Sequence, residues 1–277
     1  MVKLTDMKFV DYLDSTTKKN DSLLCVGLDI DLSRIPHTFL NKEDPIFNFN
    51  KEIILATKEL VCAYKLNIAF YEMYGIYGLE ALKRTIEYIQ EEEIPAILDA
   101  KRGDIGNSSL AYAKAVFEVY KADATTVNPY LGYDSIEPFI EFRNKGVFVL
   151  CLTSNPGRYD FQTRGEKEPL YKVVAKRVKE LNKNKNLGLV VGATNPEEIK
   201  GIRAMAEDMP ILIPGIGAQG GNLEAAAKYG PTKNGTRAII SVSRSIIYAG
   251  KGEDFAGQAK AEARKLKDMI NQYRRTG

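Results

Sequence analysis

The chain has 277 residues, enough for one large α/β domain or two small ones, with a sizeable buried core in either case. Its 44% hydrophobic and 27% charged residues are ordinary for a globular protein, and no stretch approaches the roughly 18 consecutive apolar residues of a membrane span. With 39 basic against 36 acidic residues, the net charge of +3 gives no sequence-wide attraction for nucleic acid, so an anionic ligand would be held by a few local groups.

In chain order, residues 1–6 lack the basic and apolar blocks of a signal peptide, and a cytoplasmic location is expected. Residues 9–16 read as an N-terminal helix. Short apolar runs rich in β-branched residues then alternate with longer amphipathic stretches. The runs 23–28, 63–66, 96–100, 124–127, 147–152, 187–191, 211–213 and 238–242 are predicted strands. Between and after them, helices are predicted over 47–60, 78–91, 108–119, 135–143, 170–181, 196–206, 222–228 and 254–273. Asn222, and Asn195 with Pro196, supply helix-start chemistry.

Eight βα units in this length predict an α/β fold, a (β/α)₈ TIM barrel with an extra N-terminal helix, as a single domain over residues 1–277. A doubly wound sheet would usually show fewer strands and a glycine fingerprint after the first; here that strand ends Val26-Gly27-Leu28-Asp29. The longest connection, 153–169, is either a solvated loop or an active-site lid. Cys25, Cys62 and Cys151 lie in or beside apolar runs without metal-ligand spacing, and read as reduced core thiols. His37 is the only histidine, so a multi-histidine metal site is excluded and a Ser-His-Asp triad would rest on it alone.

Barrel sites form at the C-terminal ends of the strands. Asp29, Lys65, Asp99 with Lys101, Ser154 and Arg244 end or follow strands one, two, three, five and eight. Residues two apart share a face of a strand, so Asp99 and Lys101 project together while Ala100 faces the helices. Gly103 permits a turn, Asp104 follows, and a helix opens near Asn107-Ser108-Ser109. A buried salt-bridge network would account for any one of these charges. Four of alternating sign at strand ends, Lys65, Asp99, Lys101 and Asp104, point instead to a catalytic array.

A second constellation faces phosphate. The glycine-rich run Pro214-Gly215-Ile216-Gly217-Ala218-Gln219-Gly220-Gly221-Asn222 follows strand seven, and Ser243-Arg244-Ser245 follows strand eight. Loops in these places commonly cradle phosphate with backbone N–H groups, and Gln219 and Arg244 can add side-chain donors. Ligand-free glycine turns and a surface arginine are the plainer alternatives.

Asp99-Ala100-Lys101-Arg102-Gly103-Asp104-Ile105, the upstream Lys65 and the Pro214–Gly220 run together resemble orotidine 5′-monophosphate decarboxylase, in a bacterial subgroup with an Asp-Ala-Lys-Arg-Gly-Asp motif. The resemblance covers residues 29–244. It implies conversion of orotidine 5′-monophosphate to UMP and carbon dioxide, the final step of de novo pyrimidine synthesis, with no metal or organic cofactor. Lys65, Asp99, Lys101 and Asp104 match the family's catalytic tetrad, with Lys101 the proton donor to C6. Asp29 matches the ribose ligand, Ser154 the pyrimidine contact, and Gln219 and Arg244 the phosphate ligands. The resemblance also implies a homodimer, with Asp104 and Ser108 reaching the neighbouring site; the charge balance and hydropathy, for their part, lead us to expect no nucleic-acid or membrane partner.

The Asp-x-Lys-x-x-Asp core is shared with phosphosugar decarboxylases and synthases, some magnesium-dependent, which form the nearest alternative. Those usually carry an acidic residue near the place of Lys65. A Schiff-base lysine is a further alternative, but flanking carboxylates would keep Lys101 protonated and poorly nucleophilic. A non-catalytic nucleotide-binding barrel would leave the charged array idle.

Overall fold

The computed structural model describes residues 7–216 and 221–276. Eight parallel strands, β1 (Leu24–Gly27), β2 (Ala63–Asn67), β3 (Ala96–Arg102), β4 (Ala124–Val127), β5 (Gly146–Leu152), β6 (Leu187–Val191), β7 (Ile211–Ile213) and β8 (Ala238–Val242), close into a barrel in sequence order. β1 pairs with both β2 and β8, and helices run between the strands, so the (β/α)₈ expectation holds.

The barrel interior follows from the period of two along each strand. Each strand places one apolar side chain in a shared inner cluster: Cys25, Ala63, Ile97, Ala124, Phe148, Val190, Leu212 and Ile239. Phe9, Val10 and Leu13 of the N-terminal helix Phe9–Asn20 join that cluster from the other end. Phe9 meets Phe148 edge to face at 5.7 Å, and Gly146 leaves the room: a Cβ there would lie 2.4 Å from the Phe9 ring. The outward-facing strand residues pack with the helices in a second, larger cluster.

Stepping two residues towards the C-terminal end of several strands changes the chemistry. Ala63 gives way to Lys65, Ile97 to Asp99, Ala124 to Thr126 and Ile239 to Ser241, all of them buried. A buried apolar layer therefore lies directly beneath a polar one, and the site rests on closely packed side chains.

Several helix boundaries differ from the pattern-based expectation. The helix expected from Ser108 begins at Gly106, whose φ of +53° suits glycine, and ends in a π-turn over Ala115–Val119. The helix expected over 135–143 is reduced to Glu137–Ile140, which follows a 3₁₀ turn over Tyr133–Ser135 and carries Pro138 in its first turn. The connection 153–169 is not simply solvated. It contains a short helix, Arg158–Phe161, whose buried Arg158 pairs with Glu198 at 2.8 Å and donates to the Thr194 hydroxyl at 2.9 Å. Three further four-residue helices, His37–Leu40, Ala69–Glu72 and Arg244–Ile247, are too brief to impose a periodicity. Asn195 and Asn222 cap their helices as expected, accepting from the Glu197 and Ala225 amides.

Candidate active site

At the C-terminal mouth of the barrel lies a cavity of about 400 Å³ whose charged lining consists of Asp29, Lys65, Asp99, Lys101 and Arg244. Three cations face two carboxylates, a surplus suited to an anion.

Its floor is a continuous chain of charges. Lys65 Nζ stands 3.5 Å from Asp29 Oδ1 and 3.3 Å from Asp99 Oδ2, while Lys101 Nζ donates to Asp99 Oδ1 at 2.6 Å. Lys65 and Asp99 are buried, whereas the Lys101 side chain is 47% exposed and reaches into the opening. Burial pushes the Asp99 carboxyl up, but Lys65 and Lys101 outweigh it and hold the group down at about 2. Burial likewise disfavours the Lys65 ammonium, and Asp29 and Asp99 more than reverse this, raising its pKa. Both members of the buried pair are therefore charged at neutral pH.

The convergence of Asp99 and Lys101 is not the simple alternation expected of a strand. β3 pairs with β4 through Leu98 and Thr125, then through Arg102 and Val127, so β3 spends four residues where β4 spends two. Lys101 sits in this bulge with φ +47°, a left-handed conformation uncommon outside glycine. Its amide donates to Thr126 Oγ1 at 2.8 Å, and that hydroxyl donates to Asp99 Oδ1 at 2.8 Å. A bulge bends the strand and re-aims its side chains, and here it brings two neighbouring charges into contact.

Arg244 follows β8 at the rim, exposed and without an ion-pair partner among the described residues. The ends of β1 and β8 meet closely: Ser243 Oγ donates to the Gly27 carbonyl at 2.9 Å, and a Cβ on Gly27 would lie 2.8 Å from the Ser243 Cβ. Glycine at 27 thus lets Asp29 and Arg244 share one mouth. Ser154, after β5, also lines the cavity. Its loop passes so near β6 that a Cβ on Gly192 would fall 2.7 Å from the Ser154 amide. The glycine-rich run enters through Gly215, with φ +95°, and an Ile216–Gly221 bridge ties its ends together. Gln219 lies outside the described residues.

Asp29, Lys65, Asp99, Lys101, Ser154 and Arg244 are thus gathered around one cavity, and Asp104 and Ser108 are not among its lining. Asp104 accepts from the neighbouring Ile105 amide at 2.8 Å, and Ser108 is exposed on the helix Gly106–Lys114. Sequence reasoning missed Asn67, two residues beyond Lys65, which also lines the cavity, and Thr126, two beyond Ala124. The period-of-two rule applied past each apolar run would have found both.

Residues 22–259 match the model of the family described as "Orotidine 5'-phosphate decarboxylase / HUMPS family". Orotidine 5'-phosphate decarboxylase of Dehalococcoides mccartyi is 50% identical over 274 residues, covering 97% of this chain and 99% of that protein. The protein of the same name from Cupriavidus metallidurans is 47% identical over 272 residues, covering 97% and 99%. Among solved structures, Leishmania donovani OMP decarboxylase superposes with a TM-score of 0.83 at 39% identity, covering 98% of this chain and all of that one. A family model matched over most of the chain, relatives near 50% identity and the shared barrel together show that the chain belongs to the orotidine 5′-phosphate decarboxylase family.

Proposed function

We propose that this protein converts orotidine 5′-monophosphate to UMP and carbon dioxide, the final step of de novo pyrimidine synthesis, without metal or organic cofactor. The observation that carries the reading is the chain Asp29–Lys65–Asp99–Lys101 across the cavity floor, with the exposed Lys101 ammonium facing the opening. Asp29 and Lys65 bind the ribose, Ser154 contacts the pyrimidine, and Arg244 with Gln219 holds the phosphate.

The bond from C6 to the carboxylate breaks, carbon dioxide leaves, and the electron pair stays on C6. A fixed ammonium beside that carbon stabilises the developing charge before any proton moves, so the stabilisation falls on the transition state. Lys101 then gives C6 a proton, which completes UMP and leaves a neutral amine for water to reprotonate. Asp99 keeps Lys101 charged and aimed until that moment. Phosphate binding at Arg244, remote from C6, supplies energy for positioning the ring.

The same proposal includes a homodimer in which Asp104 and Ser108 act in the partner subunit's site. Both residues stand outside their own cavity, and exposed apolar side chains surround them in sequence: Ile105 is 56% exposed, and Leu110 is also exposed. Apolar surface of this kind is commonly covered by another chain. No described helix is long and apolar enough to cross a membrane, and we take the protein to be cytoplasmic, where its three buried, unbridged cysteines suit a reducing compartment.

Incubation with orotidine 5′-monophosphate, with and without excess chelator, tests the reading. UMP and carbon dioxide are expected in equal amounts under both conditions. Absence of UMP, or activity lost to chelator and restored by magnesium, would favour the phosphosugar alternative.

A further inference from the structure

The β3 bulge interrupts the ladder to β4 between the Leu98–Thr125 and Arg102–Val127 pairs, and two threonine hydroxyls of β4 bond to β3 there. Thr125 Oγ1 donates to the Leu98 carbonyl at 2.8 Å on the outer side. Thr126 Oγ1, on the inner side, accepts from the Lys101 amide and donates to Asp99 Oδ1, both at 2.8 Å. The ladder resumes where the Asn128 amide donates to the Arg102 carbonyl at 2.7 Å. Both threonines are fully buried.

A hydroxyl has one proton to give. Because the Lys101 N–H occupies an acceptor position on Thr126, the O–H is directed to Asp99, and this polarity is set by the backbone before any substrate arrives. Asp99 Oδ1 then holds two donors, the Thr126 hydroxyl and the Lys101 ammonium, while Oδ2 faces Lys65. Lys101 keeps its left-handed backbone through the same oxygen atom.

We infer that Thr126 is a positioning residue for the decarboxylation: its hydroxyl joins the Lys101 amide to the Asp99 carboxylate and thereby fixes where the Lys101 ammonium stands. Thr126 touches neither the substrate nor C6 and acts only through these two residues. The inference rests on the proposed activity for its catalytic consequence, although the anchoring of Lys101 is a structural matter independent of it.

Thr126→Val keeps the shape and removes the hydroxyl, stranding the Lys101 amide and taking from Asp99 Oδ1 one of its two donors. Displacement of a reacting group by about an ångström costs on the order of 100-fold in rate, so kcat on orotidine 5′-monophosphate should fall by roughly 10- to 100-fold. KM and the affinity for UMP should change little, since ribose and phosphate are held elsewhere. Thr126→Ser, which restores the hydroxyl, should recover most of kcat. Thr125→Val, which loses the Leu98 bond but touches neither Asp99 nor Lys101, should lower thermal stability while sparing kcat.

A Thr126→Val protein with unchanged kcat, or an equal kcat loss in Thr125→Val, would overturn the inference. Should Thr126→Val fail to fold, Thr126→Ala carries the same expectation. A crystal structure of the hydroxyl-free variant supplies the independent arm: Lys101 should leave its left-handed conformation or its contact with Asp99, and retention of both would overturn the anchoring. A wild-type protein inert towards orotidine 5′-monophosphate would sink the proposed activity, and the crystal structure would still decide the role of Thr126.

Discussion

Asp99 carries two lysines on one buried carboxylate, which makes it the most strongly constrained group in the site. Its pKa is about 2 in the folded chain, against roughly 3.9 for an unperturbed aspartate. A depressed folded-state pKa contributes stability that is fully present above the unfolded value and is lost as pH falls through the folded one. The difference in unfolding free energy between wild type and Asp99→Asn should therefore be flat above about pH 4 and shrink towards pH 2. Denaturant titrations across that range check this, and a difference that shrinks near neutrality would contradict it. The residue types and strand ends were legible from sequence. The bulge was not, because a left-handed lysine has no signature in hydrophobic periodicity, and neither was the buried Thr126 that satisfies its amide.

At the scale of elements, strands were read more closely than helices for a physical reason. β4, β6, β7 and β8 coincide with their predicted runs: β6 and β7 are continuous apolar stretches, and β4 and β8 are short, buried throughout and rich in β-branched residues. Helix starts such as Gly106 depend on backbone conformation that hydrophobic spacing does not encode. The N-terminal helix was expected, though not its role as the lower seal of the barrel, because its partners Gly146 and Phe148 are distant in sequence. Phe9→Ala should cost roughly 3–5 kcal/mol, the usual range for losing a buried aromatic, and lower Tm without changing kcat per folded molecule. Thermal melts with active-site titration measure both; an unchanged Tm would show that the seal is dispensable.

For the molecule as a whole, sequence could indicate an assembly only through resemblance, while the structure adds a surface. Ile76, Ile105 and Tyr130, in segments following three consecutive strands, are 78%, 56% and 82% exposed. If Asp104 serves the partner's site, mixing Lys101→Ala with Asp104→Ala chains creates mixed dimers with one intact site each. Random exchange then restores about a quarter of wild-type activity from two inactive parents. Recovery should follow subunit exchange in time, and its absence despite proven exchange would place Asp104 in its own subunit's chemistry.

All three scales meet at the Lys101 ammonium, which residue contacts aim, the β3 bulge displaces and the barrel mouth presents to substrate. Carbon dioxide release from orotidine 5′-monophosphate by wild type and by Lys101→Ala, compared at saturating substrate, tests that convergence most directly. Wild type should turn over without added metal, and the variant should bind UMP yet release carbon dioxide at least 100-fold more slowly, the scale of a lost transition-state charge contact. Comparable release from both proteins would contradict the account.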